Sequence, residues 1–287
     1  MSQKPIDEFS GVSTTGHEWD GIKELDNPMP RWWLIIYYAT IVWAVGYMIA
    51  YPAWPLIRTA TTGLLGYSSR ADVKAELAAA KATKADYIAA IGSKSVTEIL
   101  ADEKLRTFAA AAGAAAFKVN CVQCHGSGAQ GSPGYPNLND DEWLWGGKPQ
   151  QIQQTIAHGV RYAEDPNTRV SEMPAFGSIL KPDEITQAAS FVASLSGKAG
   201  NASAQEIAAG KQVFAQNCAA CHGENGQGNQ DVGAPQLNDA VWLYNSSLEA
   251  ITAQITNPRH GVMPAWKAKL GDAKVKELAA YVLSLGG

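Results

Sequence analysis

Residues 113–126 read G-A-A-A-F-K-V-N-C-V-Q-C-H-G and residues 210–223 read G-K-Q-V-F-A-Q-N-C-A-A-C-H-G, a recurrence that constrains this chain more than any other feature of its sequence. Three further blocks recur in the same order. P-N-L-N-D-D-E-W-L-W from Pro136 is answered by P-Q-L-N-D-A-V-W-L-Y from Pro235, M-P-A-F from Met173 by M-P-A-W from Met263, and F-V-A-S-L from Phe191 by Y-V-L-S-L from Tyr281. Four blocks in one order mean two copies of one domain. In the closing segments apolar residues fall at helical spacing: Ile185, Ala188, Ala189, Val192 and Leu195 in the first copy, Val275, Leu278, Ala279, Val282 and Leu285 in the second. Pro182 followed by Asp183 and Glu184 predicts one helix start, and Asp272 is expected as the N-cap of the other. Between the helices the chain is rich in Gly, Pro and Asn, which suits loops wrapped round a ligand rather than strands.

All four Cys of the chain lie in C-x-x-C-H, the attachment sequence for haem c. Two thiols one turn apart can each add to a porphyrin vinyl group, and the adjacent imidazole then lies under the iron. Cys121 and Cys124, and Cys218 and Cys221, are the expected covalent attachment points, with His125 and His222 as proximal ligands. A zinc site would bring its second C-x-x-C about 15–20 residues after the first, whereas here Cys124 and Cys218 are 94 apart. A thioredoxin-like pair would need a βαβ setting that is not visible. A disulfide within each motif would not explain the His.

The sixth ligand separates electron carriers from haem enzymes, because a vacant iron binds oxygen or peroxide while Met opposite His raises the potential and fills the site. The two copies contain two Met, Met173 and Met263, which follow His125 and His222 by 48 and 41 residues. Each sits in M-P-A-aromatic, where Pro stiffens the loop that holds a weak thioether ligand. His158 and His260, both in H-G-V, are rival ligands whose coordination would lower the potential. Arg161 and Arg169 fall in a stretch that the second copy lacks, and as planar donors they suit haem propionates or a solvated loop.

Trp32 to Ile57 carries no charge between Arg31 and Arg58. About 20 such residues cross the hydrocarbon core of a bilayer, and Trp32, Trp33, Tyr51 and Trp54 supply aromatic belts at its two faces. One transmembrane helix is expected from Trp32 to Tyr51, ended by Pro52 and Pro55. Flanking charge does not fix its orientation. Because haem c is assembled outside the bacterial cytoplasmic membrane, both copies are expected in the periplasm, with residues 1–31 in the cytoplasm and a single pass through the cell inner membrane. A net charge of −4 without any basic stripe excludes nucleic acid as a partner.

The expected fold is all-α, one transmembrane helix followed by two tandem class I cytochrome c domains. Its parts are a segment at 1–31, an anchor at 32–57, a helical connector at 58–102, a first domain at 103–197, a linker at 198–205 and a second domain at 206–287.

The whole chain resembles subunit III of bacterial cbb3-type cytochrome c oxidases, the dihaem cytochrome c family called CcoP or FixP. The most specific part is G-H-E-W-D-G-I-K-E-L-D-N-P-M-P-R-W-W, Gly16 to Trp33. The resemblance implies two covalent haem c groups, with His125 paired to Met173 and His222 to Met263. It also implies partnership with the catalytic and monohaem subunits of the oxidase, with electrons arriving from a donor cytochrome c or the cytochrome bc1 complex and leaving for the subunit that reduces oxygen to water. On this reading the chain is not catalytic by itself. A dihaem peroxidase would need an open or low-potential iron, which two Met-bearing copies argue against. A free-standing membrane dihaem shuttle differs only in its partners.

Overall fold

The computed structural model describes residues 5–286, which divide into two units, Met1–Ala82 and Thr83–Gly287. The first unit opens with an antiparallel hairpin, β1 (Thr14–Trp19) and β2 (Ile22–Leu25), that the all-α expectation did not contain. Its turn is Asp20-Gly21, both at positive φ (52° and 83°), the dipeptide whose left-handed geometry matches the twist of paired strands. The helix α1 (Arg31–Ala50) follows, within one residue of the expected span, and its backbone ends at Tyr51 before Pro52. None of its residues is buried, and it is long and apolar enough to cross a membrane.

The Ala-rich stretch beyond it is broken into three helices by side-chain caps. These are α2 (Ser69–Ser93), α3 (Val96–Ala101) and α4 (Glu103–Asn120). Ser95 and Glu98 form a reciprocal capping box at the start of α3, and Asp102 accepts from the amides of Lys104 and Leu105 at the start of α4. The remaining helices are α5 (Val122–His125), α6 (Pro149–His158), α7 (Pro182–Leu195), α8 (Ala204–Asn217), α9 (Ala219–His222), α10 (Leu248–Thr256), α11 (Lys267–Leu270) and α12 (Asp272–Leu283). Asp272 is the first residue of α12 rather than its cap, a place taken by Gly271, and its carboxylate pairs with Lys276 at 3.0 Å.

Within the second unit the helices pair across the repeat. The opening helix of the first copy, α4, packs on the closing helix of the second, α12, while α7 packs on α8. Each crossing is made at a glycine and an aromatic pair. A Cβ on Gly113 would run into the carbonyl of Glu277, and one on Gly210 into the carbonyl of Gln187, so only glycine lets the backbones approach. Beside them Phe117 meets Tyr281 with ring centroids 5.3 Å apart, and Phe214 meets Phe191 at 5.2 Å. Two lobes result. One combines α3, α4 and α6 with α11 and α12 around Phe117, Ile152, Ile156, Val275 and Leu278. The other runs continuously through α7, α8 and α10 around Phe191, Val192, Phe214, Ile251 and Ile255.

The packing boundary therefore differs from the boundary expected at 198–205. Residues 196–203 join two helices that lie directly against each other. Eight residues between helices make antiparallel neighbours the natural outcome. Once α7 and α8 are paired, α4 has α12 left as its partner.

Candidate haem-binding sites

Each attachment motif forms a short helical turn at the end of a long helix. The Cys121 amide bonds the Phe117 carbonyl at 2.9 Å and the Cys218 amide bonds that of Phe214 at 2.8 Å, so the thiols are carried on rigid helix ends. None of the four Cys is in a disulfide; Cys121 and Cys218 are the more enclosed, Cys124 and Cys221 exposed. Burial, reinforced by the neighbouring thiol, pushes Cys121 and Cys218 up to about 11. Among the described residues no group of three His, Cys, Asp or Glu is arranged to hold a metal ion.

The two imidazoles are held in the same way. His125 Nδ1 lies 3.0 Å from the carbonyl oxygen of Pro136, and His222 Nδ1 lies 3.0 Å from that of Pro235. A carbonyl can only accept, so Nδ1 carries the proton and Nε2 keeps its lone pair, the arrangement that prepares imidazole to bind iron. Desolvation lowers both pKa values, with the carbonyl bond opposing it, which favours the neutral ring that coordination needs. The P-x-L-N-D block is thereby explained: its Pro supplies the orienting carbonyl, and its Asn reaches back by Asn139 Nδ2 to Gly128 O (2.8 Å) and by Asn238 Nδ2 to Asn225 O (3.0 Å).

A cavity of ≈ 430 Å³, lined by both motifs and both candidate methionines, is mostly apolar in its walls. The buried indole N–H of Trp242 on that wall has no hydrogen-bond partner within the protein, so it is available to an acceptor on a bound group. An apolar cavity lined by both imidazoles and the attachment thiols, with a spare donor on its wall, fits haem.

The methionines do not sit with the motif of their own copy. Met263 packs against the cluster containing Phe117, Ile152 and Ile156, alongside Cys121 and Val122. Its backbone is doubly bonded to Val160, amide to carbonyl in both directions at 3.0 Å, and the Trp266 amide bonds the Ile156 carbonyl at 3.1 Å. Gly159, at φ +71°, leaves room for this strand, since a Cβ there would overlap the Met263 carbonyl. Met173 packs against the other cluster, with Phe214, Cys218, Ile251 and Trp242.

His158 turns to Asp165, with Nδ1 3.1 Å from a carboxylate oxygen, while His260 lines the cavity. His17 lies in the hairpin, stacked on Trp19 at 5.5 Å. The two arginines have protein partners. Arg161 donates to the carbonyls of Ser171 and Gly261, both at 2.8 Å. Arg169 donates to Thr155 Oγ1 at 3.1 Å and covers the Trp145 ring at 5.0 Å.

Comparison with known proteins bears on both units. The description "N-terminal domain of cytochrome oxidase-cbb3, FixP" matches residues 11–58, and "Cytochrome C oxidase, cbb3-type, subunit III" matches 108–192 and 205–282. The chain belongs to the subunit III family of cbb3-type cytochrome c oxidases. It is 60% identical over 286 residues to the cbb3-type cytochrome c oxidase subunit FixP of Rhizobium meliloti, covering 99% of this chain and 98% of that one. It is 51% identical over 290 residues to the subunit CcoP of Cereibacter sphaeroides, covering 100% and 99%. Family membership brings covalently bound haem c, electron transport and a membrane anchor, for which α1 is the candidate.

Proposed function

We propose that this chain is the non-catalytic electron-relay subunit of a cbb3-type oxidase, holding two haem c groups, each between the histidine of one sequence copy and the methionine of the other, as the packing of the two lobes favours. Cys121 and Cys124 would attach haem one, with His125 and Met263 to hold its iron; Cys218 and Cys221 would attach haem two, with His222 and Met173 to hold its iron. When bound, haem would supply a reversible one-electron couple, which methionine sulfur would hold at high potential. The protein supplies the rest: carbonyls of Pro136 and Pro235 fix the imidazoles, apolar walls exclude water, and the M-P-A loops present the thioethers. Electrons arrive from a periplasmic donor, a soluble cytochrome c or the cytochrome bc1 complex. They leave through the monohaem subunit to the catalytic subunit that reduces oxygen. The haem-bearing unit lies in the periplasm and residues 1–31 in the cytoplasm, across a single helix in the bacterial inner membrane.

The observation that carries the ligand pairing is the packing of Met263 against the same buried cluster as Cys121, with its backbone tied to Val160. It is tested in a chain whose second attachment motif is removed by Cys218→Ser and Cys221→Ser. The remaining haem should lose its ferric sulfur-to-iron charge-transfer band on Met263→Leu and keep it on Met173→Leu. The opposite result restores pairing within each copy, and a band insensitive to both removes methionine from the iron.

A further inference from the structure

The stretch between Val160 and Met173 has no counterpart in the second copy, where Met263 follows Val262 directly. Its first residue, Arg161, is one of three non-glycine residues at positive φ among the described residues, at 52°. That conformation is costly for a long side chain and persists only where the surroundings over-determine it. Here they do. The backbone amide bonds the Arg169 carbonyl at 2.6 Å, while the guanidinium donates through Nε to Gly261 O and through Nη1 to Ser171 O, each at 2.8 Å. Both accepting residues lie two positions before a methionine, Ser171 before Met173 and Gly261 before Met263. Arg161 is partly buried and lines the cavity shared by the two attachment motifs.

We infer that Arg161 is a positioning residue for both irons at once, a single guanidinium fork that holds the two methionine loops in register. This rests on the assignment of Met173 and Met263 as the distal ligands. A thioether is a weak ligand, so its hold on iron depends on a loop that does not wander. A planar fork with two donors at fixed angles can pin two carbonyls, whereas an ammonium is a point donor that satisfies one of them well. The loss of either bond also leaves a carbonyl on the cavity wall without its donor.

The test uses the full-length, membrane-extracted holoprotein. Mass spectrometry counts the haems, ferric spectra read methionine ligation, and a redox titration reads both midpoints. Arg161→Met should retain two haems but lose the charge-transfer band at both sites, with both midpoints falling together. Arg161→Lys keeps the charge and should recover about half the band, one site's share. If Arg161→Met does not accumulate, the lysine variant alone decides, and a full wild-type band in it overturns the inference. So does a change confined to one haem in Arg161→Met. A wild-type chain that lacks the band at either site defeats the ligand assignment instead, and does so before any Arg161 variant is made.

Discussion

Gly113 and Gly210 show how one absent methyl decides a lobe. Each lies where two helices cross so closely that any Cβ would overlap a backbone carbonyl, and backbone cannot swing aside as a side-chain tip can. Gly113→Ala or Gly210→Ala should each destabilise the second unit by about 1–3 kcal/mol, the usual cost of overpacking, seen as a lower thermal midpoint. The glycines were visible in the repeat as matched positions, as were the haem-attaching Cys and the proximal His. The orienting carbonyls of Pro136 and Pro235 were not, because a backbone acceptor leaves no mark in side-chain identity. Arg161 was visible as a planar donor, but its partners are carbonyls of loops 10 and 100 residues away, which no local pattern reveals. On the wall of the same cavity as Arg161, Glu142 lies near Asp239, and burial first, then that neighbour, raises its pKa. The folded state therefore holds the proton more tightly than the unfolded state, and stability falls as pH rises through the folded pKa. Glu142→Gln should raise the thermal midpoint near neutral pH, with the gain vanishing as pH drops below the ordinary glutamate value of 4.5.

Among the elements, α2 shows how a helix end is held by a distant side chain. Lys276, 8% exposed on α12, donates to the carbonyls of Gly92 and Lys94 at 2.8 Å, and its charge is matched by Asp272 at 3.0 Å. Helix ends leave carbonyls without partners, and a cation there also meets the negative end of the helix dipole. Lys276→Met should cost about 1.5–3 kcal/mol, the range for bonds to charged groups, and should raise amide exchange in the last turn of α2. Helix existence followed from periodicity in the closing segments and, for α1, from the length of an uncharged apolar run ended by proline. The hairpin at Asp20-Gly21 was missed although its turn dipeptide is a strong local signal, because the flanking strands lack apolar alternation: Ile22 to Leu25 is exposed throughout. The small, polar stretch at 198–205 is expected to separate two domains, and it overlaps the eight-residue connection 196–203 between α7 and α8. Its length argued otherwise, because a connection that short between two amphipathic helices favours packing them on each other.

For the whole second unit, the pairing of α4 with α12 makes one lobe discontinuous and nests the other inside it. Two tandem domains could be separated at the linker and would each fold. The nested arrangement predicts a different outcome: residues 1–197 and 198–287 produced separately should each lack cooperative unfolding and a methionine-ligated haem, and mixing or co-expressing them should restore both. A calorimetric transition in either half alone would contradict this. Repeat detection cannot choose between the two layouts, since the same four blocks in the same order serve both.

The crossing of α4 with α12 also sets an order of events during manufacture. A ribosome delivers the inner lobe's sequence complete, while the outer lobe's first helix waits more than 150 residues for its mate. Contacts that far apart along a chain form late. The lobe whose sequence is translated first is therefore the last to be finished, and a chain that stops short of its final helix leaves that lobe open to proteolytic disposal.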